Sequence, residues 1–341
     1  MQRINIEQAQ KLWQEESLFT LGKMAHGMRL RLHPEDMVTY IVDRNINYTN
    51  ICMSACKFCA FFKPPGHEQG YVLSFEELKQ KISETVDLGG RQILLQGGMN
   101  PDLDLAFYQN MLEFIKEHFP QVAVHGFSPP EISFLAGESN LSVDEVISRL
   151  VESGLDSIPG GGAEILADRV RMDLSPRKCT SLQWLEVMRK AHLLGLKTTA
   201  TMMFGHVETP AERISHLDKI RSLQDETGGF TAFIPWTFQP GNTQIRAREA
   251  SSDEYLKFLA LSRLYLDNIP NIQASWVTQG SKVGQMALLW GANDFGSTMI
   301  EENVVAAAGV SFKMPEEELR ALIRGAGFIP RKRNMDYSLV E

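Results

Sequence analysis

Short apolar runs alternate with amphipathic stretches along most of the chain, and their spacing sets the predicted elements. Residues 6–33 carry Leu12, Leu18, Leu21, Met24 and Met28 at helical intervals and read as a helix. Residues 38–45 read as a strand. Residues 75–88 read as a helix opened by Ser74, with Glu77 three positions later in a capping-box pattern. The alternation continues with strand Gln92–Gln96 and helix 104–117, strand 122–127 and helix 143–153, and strand 157–158 and helix 181–194. Strand 198–204 and helix Pro210–Thr227 follow, then strand 230–238 and helix 253–268, and finally strands at 272–277 and 291–295.

Strand followed by helix, repeated across short loops, predicts an α/β fold, specifically a (β/α)8 TIM-type barrel. The runs Ile93, Leu94, Leu95 and 198–204 suit parallel strands buried on both faces. Residues 1–37 are expected to form an N-terminal helical extension, and 38–341 the barrel with a C-terminal closing segment. No Pro/Ser-rich linker divides the chain, and no fixed-period repeat is visible. Loops after the strands build the site of such a barrel. Gly97-Gly98, Pro130-Glu131 and the loops 160–164, 205–208 and 239–242 are therefore expected on one rim.

Composition narrows the function. A chain of 341 residues, 43% apolar, can fill one large barrel. The net charge of −8 argues against nucleic acid as a partner. The one basic run, Arg331 to Arg333, reads as a solvated or substrate-edge segment. Residues 1–16 are polar and lack a signal-peptide core, and the apolar run 304–310 is too short to span a bilayer. A soluble, cytoplasmic protein without a membrane partner is expected, in a compartment that keeps thiols reduced.

Cys52, Cys56 and Cys59 bring in the chemistry. Three thiolates at this spacing can hold three irons of a [4Fe–4S] cluster and leave the fourth iron open to an exchangeable ligand. A structural zinc site uses four protein ligands, often as paired CxxC motifs. The remaining cysteine, Cys179, lies 120 residues further on without a partner. An odd group of three also speaks against a disulfide framework. Among the histidines, His67 sits in the loop beyond the cysteines, where a near-neutral imidazole can serve as a base. His125 and His206 are comparable candidates at strand ends, whereas His26, His192 and His216 fall in helical patterns. Glu131, Glu164 and Glu208 are too widely spaced to read as a hydrolase pair, and no GxSxG or HExxH motif occurs.

The CxxxCxxC motif, with Phe58 just before its last cysteine, resembles the radical S-adenosylmethionine (SAM) superfamily. That resemblance implies a cluster whose open iron is chelated by SAM, and a 5′-deoxyadenosyl radical. Gly97-Gly98-Met99 resembles the family's Gly-Gly-Glu element. Met99 replaces the acid, so only the backbone contact to the SAM amino group carries over. Glu164, after Gly160 to Gly162, resembles the acidic residue that meets the ammonium or ribose of SAM. Gly205 and Glu208 resemble the GxxE motif beside adenine, and Phe58 the residue whose backbone meets adenine. Each also has a plain reading: a glycine turn, a helix N-terminal charge, or core packing. The arginine that some relatives direct at the SAM carboxylate is replaced here by Gln183 or Trp184.

Longer stretches, 39–50, 96–98, 128–131, 158–166, 201–209 and 233–243, resemble the futalosine-pathway branch of that superfamily, which serves menaquinone biosynthesis. The resemblance implies dehypoxanthine futalosine as the small-molecule substrate. Its ribose C4′ hydrogen would be abstracted, the carbon radical would add to the benzoate ring, and loss of a proton and an electron would restore aromaticity. It also implies a flavodoxin or ferredoxin-type reductant and a base, either His67 or a strand-end carboxylate. Trp236 and Phe238 either pack on the ligand or fill the barrel. Arg44, Ser128, Thr243 and Arg246 are the candidate donors to the benzoate carboxylate. Two alternatives stand beside this reading. One is the sister aminofutalosine synthase, which adds the radical to an enolpyruvyl group. The other is a non-enzymatic iron–sulfur electron carrier, which would need a fourth cluster ligand.

Overall fold

The computed structural model describes residues 3–310 and 313–340. The strands are β1 (Met37–Ile41), β2 (Asp43–Asn47), β3 (Gln92–Gln96), β4 (Ala123–Gly126) and β5 (Ser157–Ile158), followed by β6 (Lys197–Phe204), β7 (Phe230–Thr237), β8 (Asn271–Ile272), β9 (Asp294–Ser297) and β10 (Ile329–Lys332). Strands β2 to β8 form one seven-stranded parallel sheet in chain order. Strand β1 lies parallel between β9 and β10 in a three-stranded sheet.

The two sheets join twice. The chain passes directly from β1 to β2 at Val42, and a parallel bridge couples Gln273 beyond β8 to Asp294 of β9. Beyond β9, the amides of Thr298 and Ile300 donate to the carbonyls of Ile41 (3.0 Å) and Asp43 (3.2 Å). The single predicted strand 38–45 is therefore two strands. Its first half pairs with β9 and β10 and its second half with β3, which closes the α/β sheet toward a TIM-type barrel.

The pleat sends successive side chains to opposite faces of the wall. Ile93, Leu95, Val124, Ile158, Ala200 and Met202 are buried in the apolar core beneath the helices. Asp43, Asn45, Gln92, His125, Ser157, Thr199 and Thr201 line the lumen. Capping boxes at Ser74, Ser142, Thr180 and Thr209 start the helices Phe75–Asp87, Val143–Glu152, Ser181–Leu193 and Pro210–Thr227.

The structure departs from the sequence reading elsewhere too, the last barrel strand, for example, lying at Asp294–Ser297 and not 291–295. The helix expected over 6–33 is two helices, Ile6–Glu15 and Leu18–Leu32, because Ser17 Oγ accepts from the Thr20 amide (3.1 Å) and starts a new helix. Residues 272–277 contribute strand only at Asn271–Ile272 before the short helix Trp276–Gln279. Pro129 and Pro130 open the helix Pro129–Ser139, since proline is tolerated in a first turn whose amides lack helical partners. Within the basic run Arg331 is exposed, but Arg333 lines the lumen and is not solvated. It is buried and paired in a bidentate fork with Asp294 (2.6 and 3.1 Å). No helix among the described residues is long and apolar enough to cross a membrane.

Candidate active site

The loops after the strands converge at one mouth of the barrel. Cys52, Cys56 and Cys59 follow β2 and line a cavity of about 250 Å³. Phe58, Gly97, Gly98, Ser128, Glu131 and Glu164 line the same cavity. Among the described residues, five of the seven non-glycine residues with positive φ lie on these loops: Ala55, Phe127, Glu164, Asn242 and Met299. A left-handed backbone is unfavourable for such residues and persists where the surroundings over-determine it, often at functional sites.

Among the described residues, no three Cys, His, Asp or Glu side chains converge tightly enough for a single metal ion. The three thiols instead share a cavity wall, which suits a multi-iron cluster held at its corners. Burial pushes the Cys56 thiol up to about 11 and also raises Cys59, so metal binding must displace their protons. Donors to sulfur are already in place. Ser54 Oγ lies 2.9 Å from Cys56 Sγ, and the amides of Ser54 and Met99 each donate to Cys52 Sγ at 3.4 Å. Hydrogen bonds of this kind tune the potential of an iron–sulfur centre.

Gly98 is required for close approach. A Cβ there would lie 2.1 Å from the Ile51 carbonyl oxygen, so any side chain would push the glycine turn off the cysteine loop. Behind it, Glu131 is buried and accepts from Tyr48 Oη (2.5 Å), Ser128 Oγ (2.5 Å) and the Gly97 amide (3.1 Å). Burial outweighs these donors and raises its carboxyl to about 7.

Glu164 occupies the far wall with φ +40°. Its Oε1 accepts from Lys178 Nζ at 3.0 Å, and its buried Oε2 has no hydrogen-bond partner among the described residues. Lys178 also lies over the Phe58 ring, 5.1 Å from its centroid. Burial opposes the Lys178 charge, but Cys56 and Glu164 outweigh it and raise its pKa. Gln183 and Trp184 do not line this cavity: Gln183 Oε1 accepts from the Thr180 amide (2.8 Å) and Trp184 Nε1 donates to the Gly161 carbonyl (3.1 Å), whereas Lys178 lies in its wall. Lys178 escaped the sequence reading because it lies in an irregular connection without periodicity.

Several candidates lie outside the cavity. His67 is exposed, accepts from the Gln69 amide at its Nδ1 (3.1 Å), and lines neither this cavity nor the inner one. Glu208 holds its own loop through the amides of Gly205 (2.7 Å) and His206 (2.9 Å) and pairs with Arg213. Burial works against its charge, but His206 and Arg213 hold it at about 2. Arg44 faces outward to Glu84 (2.9 Å) and the Lys81 carbonyl (2.8 Å), and Thr243 donates to the Pro240 carbonyl (2.9 Å). Arg246 lines neither cavity, and the Cys179 carbonyl accepts from Arg171 (2.6 Å). Ser128, Trp236 and Phe238 do line the mouth.

A second cavity of about 290 Å³ continues down the lumen and shares Gln96, Gly161, Glu164 and Trp236 with the first. Three thiols, a glycine turn and a buried acid beside an ammonium share the mouth above the inner chamber, a donor set that suits a barrel enzyme with an iron–sulfur cluster and a charged organic ligand beside it.

The chain belongs to the radical SAM superfamily, whose family model matches residues 46–220, and the model of the CofH/MqnC C-terminal region matches residues 227–341. Its cofactors are a [4Fe–4S] cluster and SAM, and the residues at the mouth fit both. It is 48% identical to a cyclic dehypoxanthine futalosine synthase of Halalkalibacterium halodurans, over 99% of this chain and 92% of the relative. It is also 44% identical to a 5-amino-6-(D-ribitylamino)uracil–L-tyrosine 4-hydroxyphenyl transferase of Methanosarcina barkeri, over 94% of this chain and 86% of the relative. Methylornithine synthase (PylB) shares the fold, with a TM-score of 0.73 at 17% identity over 96% of this chain and 94% of that one.

Proposed function

We propose that this enzyme converts dehypoxanthine futalosine into cyclic dehypoxanthine futalosine in menaquinone biosynthesis. The carrying observation is the 48% identity, across nearly the whole of both chains, to a relative of that name. In this reading the substrate loses its ribose C4′ hydrogen to the 5′-deoxyadenosyl radical, closes onto its benzoate ring, and regains aromaticity by losing one proton to a base and one electron, which the oxidised cluster or the oxidised redox partner would accept. The cluster and SAM supply the 5′-deoxyadenosyl radical when bound. A flavodoxin or ferredoxin-type reductant provides the electron that starts the cycle, in the cytoplasm. Residues 1–37 serve as an extension of the barrel unit 38–341.

Within this reading, Cys52, Cys56 and Cys59 hold the cluster. The backbone of Gly97 and Gly98, with Glu164 and Lys178, holds the amino-acid end of SAM. Phe58 packs at the adenine side, and the loop of Gly205 to Glu208 is braced by Glu208 behind it. Trp236 lines both cavities and separates SAM from substrate. Holding the reacting groups in one orientation supplies much of the advantage in an intramolecular ring closure.

The deciding experiment is anaerobic reconstitution with dithionite and SAM, reading 5′-deoxyadenosine and product mass. Substrate-dependent 5′-deoxyadenosine, with a product two hydrogens lighter than dehypoxanthine futalosine, supports the reading. Turnover of the aminofutalosine synthase substrate, or of 5-amino-6-(D-ribitylamino)uracil with tyrosine, reassigns the reaction within the superfamily. A fully loaded cluster that never cleaves SAM sinks the catalytic reading.

A further inference from the structure

A barrel interior built only for stability is filled with branched apolar side chains. Here the inner chamber keeps a mainly apolar lining, with Leu94, Ile234 and Trp276 among it, but that lining is interrupted by Asn45, Gln92, His125, Ser157, Thr199 and Gln273. The hydrogen bonds of Asn45, Gln92 and His125 consume donors and leave acceptors over, while Tyr337 Oη, also in the lining, is a buried hydroxyl without a partner among the described residues. Asn45 donates Nδ2–H to Glu302 (2.8 Å), and its Oδ1 is buried without a partner among the described residues. Gln92 donates Nε2–H to Asp43 (2.8 Å), and its Oε1 is likewise unpartnered. Both amide orientations follow from the carboxylate each one faces, since only the nitrogen can donate to it.

His125 adds a third acceptor. The Ser157 hydroxyl has one hydrogen, which it gives to the Lys197 carbonyl at 2.6 Å. Its 2.8 Å contact with His125 therefore makes Nδ1 the donor. Burial, and then Arg333, lower this histidine to about 3, so it is neutral and its Nε2 carries a lone pair. The hydrogen-bond neighbour of Nε2 is the Thr199 hydroxyl, at a long 3.4 Å.

The charges of the chamber reinforce this polarity. Asp43, Glu302 and Asp336 line it. Of its two lining cations, Arg333 is committed to Asp294, and Lys197 is exposed and turns one ammonium hydrogen to the Gly228 carbonyl (3.1 Å). A carboxylate entering here would meet unspent acceptors and acids. A group rich in O–H donors would satisfy them.

We propose that the inner chamber receives the hydroxyl-bearing sugar end of the substrate, leaving the carboxylated ring on the mouth side. This orientation rests on the reaction assigned above. A site built to hydrogen-bond a hydroxyl rejects an analogue lacking it, by about 100-fold or more where the polar groups are well buried.

The test compares kcat/KM for the parent substrate, its 2′-deoxy and 3′-deoxy analogues, and an analogue lacking the ring carboxylate. Each is assayed with the wild-type holoenzyme and with Gln92→Met and His125→Phe. The expected result is strong wild-type preference for the parent over at least one deoxy analogue, with that preference collapsing toward unity in a variant. Selectivity for the ring carboxylate stays at its wild-type value. The orientation is overturned if the variants instead lose selectivity for the carboxylate, or if deoxy selectivity does not move and the chamber is merely solvated. If neither variant folds, equal turnover of the parent and both deoxy analogues by the wild-type enzyme overturns it. Wild-type enzyme that cleaves SAM but never turns over the parent removes the assigned reaction, and the orientation with it.

Discussion

Tyr48 donates a 2.5 Å hydrogen bond to Glu131 Oε1, the same oxygen that accepts from the Gly97 amide at 3.1 Å. One buried carboxyl thereby ties together the segment leading into the cysteine loop, the glycine turn after β3, and the helix Pro129–Ser139. A neutral amide at 131 cannot accept from all three donors in the same way. Glu131→Gln is therefore expected to retain its iron and sulfide, lose about 1–3 kcal/mol of stability, and cleave SAM at least about tenfold more slowly, in line with the cost of misplacing a reacting group. Iron content, a denaturant midpoint and 5′-deoxyadenosine yield check the three parts. Cleavage at the wild-type rate would leave Glu131 a purely structural residue.

The buried ionisable groups give stability a pH dependence of two signs. Burial lowers His125 and His216 from 6.5 to about 3, and His192 from 6.5 to about 4. Below pH 6.5 the unfolded chain binds protons that the folded chain refuses, so stability falls as pH drops. Glu131, raised from 4.5 to about 7, acts oppositely: its contribution is full below 4.5 and is lost as pH rises through 7. Each depressed histidine contributes a slope of about 1.4 kcal/mol per pH unit within its window. His192→Gln, remote from both cavities, should reduce the acid slope by one proton. Urea midpoints between pH 8 and 5 measure it, and an unchanged slope would show that His192 titrates normally in the fold.

The cysteines should separate cleanly by role. Cys52, Cys56 and Cys59 share a cavity, whereas Cys179 lies apart beside Arg171. Any one of Cys52→Ala, Cys56→Ala or Cys59→Ala should abolish the visible cluster absorbance and SAM cleavage while leaving the far-ultraviolet circular dichroism intact. Cys179→Ala should bind the cluster like the wild type. Loss of the cluster in the Cys179 variant would assign that residue a part in assembly.

The fold was largely legible because strand and helix periods differ sharply and the barrel repeats them. Ser157–Ile158 could be read as a strand despite its length because it sits between two strong helical patterns. The split at Val42 was not legible, since only pairing with two different partners divides one extended run. The cysteine loop was legible because its chemistry is local in sequence. The polar lumen was missed although Asp43, Asn45 and Asn47 alternate with Arg44 and Ile46. The apolar centre of Gln92–Gln96 drew the reading, not its two ends. Lys178 and Tyr48 reach the site only through tertiary folding, and no spacing announces them.

The Glu164–Lys178 pair makes a prediction that separates ligand binding from stability. Both side chains are nearly buried, 10% and 14% exposed, and lie 3.0 Å apart at the cluster cavity. Removing one partner of a buried pair leaves a charge uncompensated and costs about 3–5 kcal/mol, whereas removing both is often near neutral. Arg171 Nη1, 3.8 Å from Glu164 Oε2, is the acid's second partner, so Glu164→Gln should lower the denaturant midpoint more than Lys178→Met, and the double variant should recover only part of that loss. If the pair also grips the ammonium and carboxylate of SAM, the double variant will regain stability without regaining SAM affinity, which should stay at least about tenfold weaker for lack of charge-assisted hydrogen bonds. Equilibrium binding of SAM to the reconstituted proteins reads this directly. Recovery of affinity together with stability would make the pair a structural brace and move recognition of the SAM amino-acid end to the glycine-turn backbone.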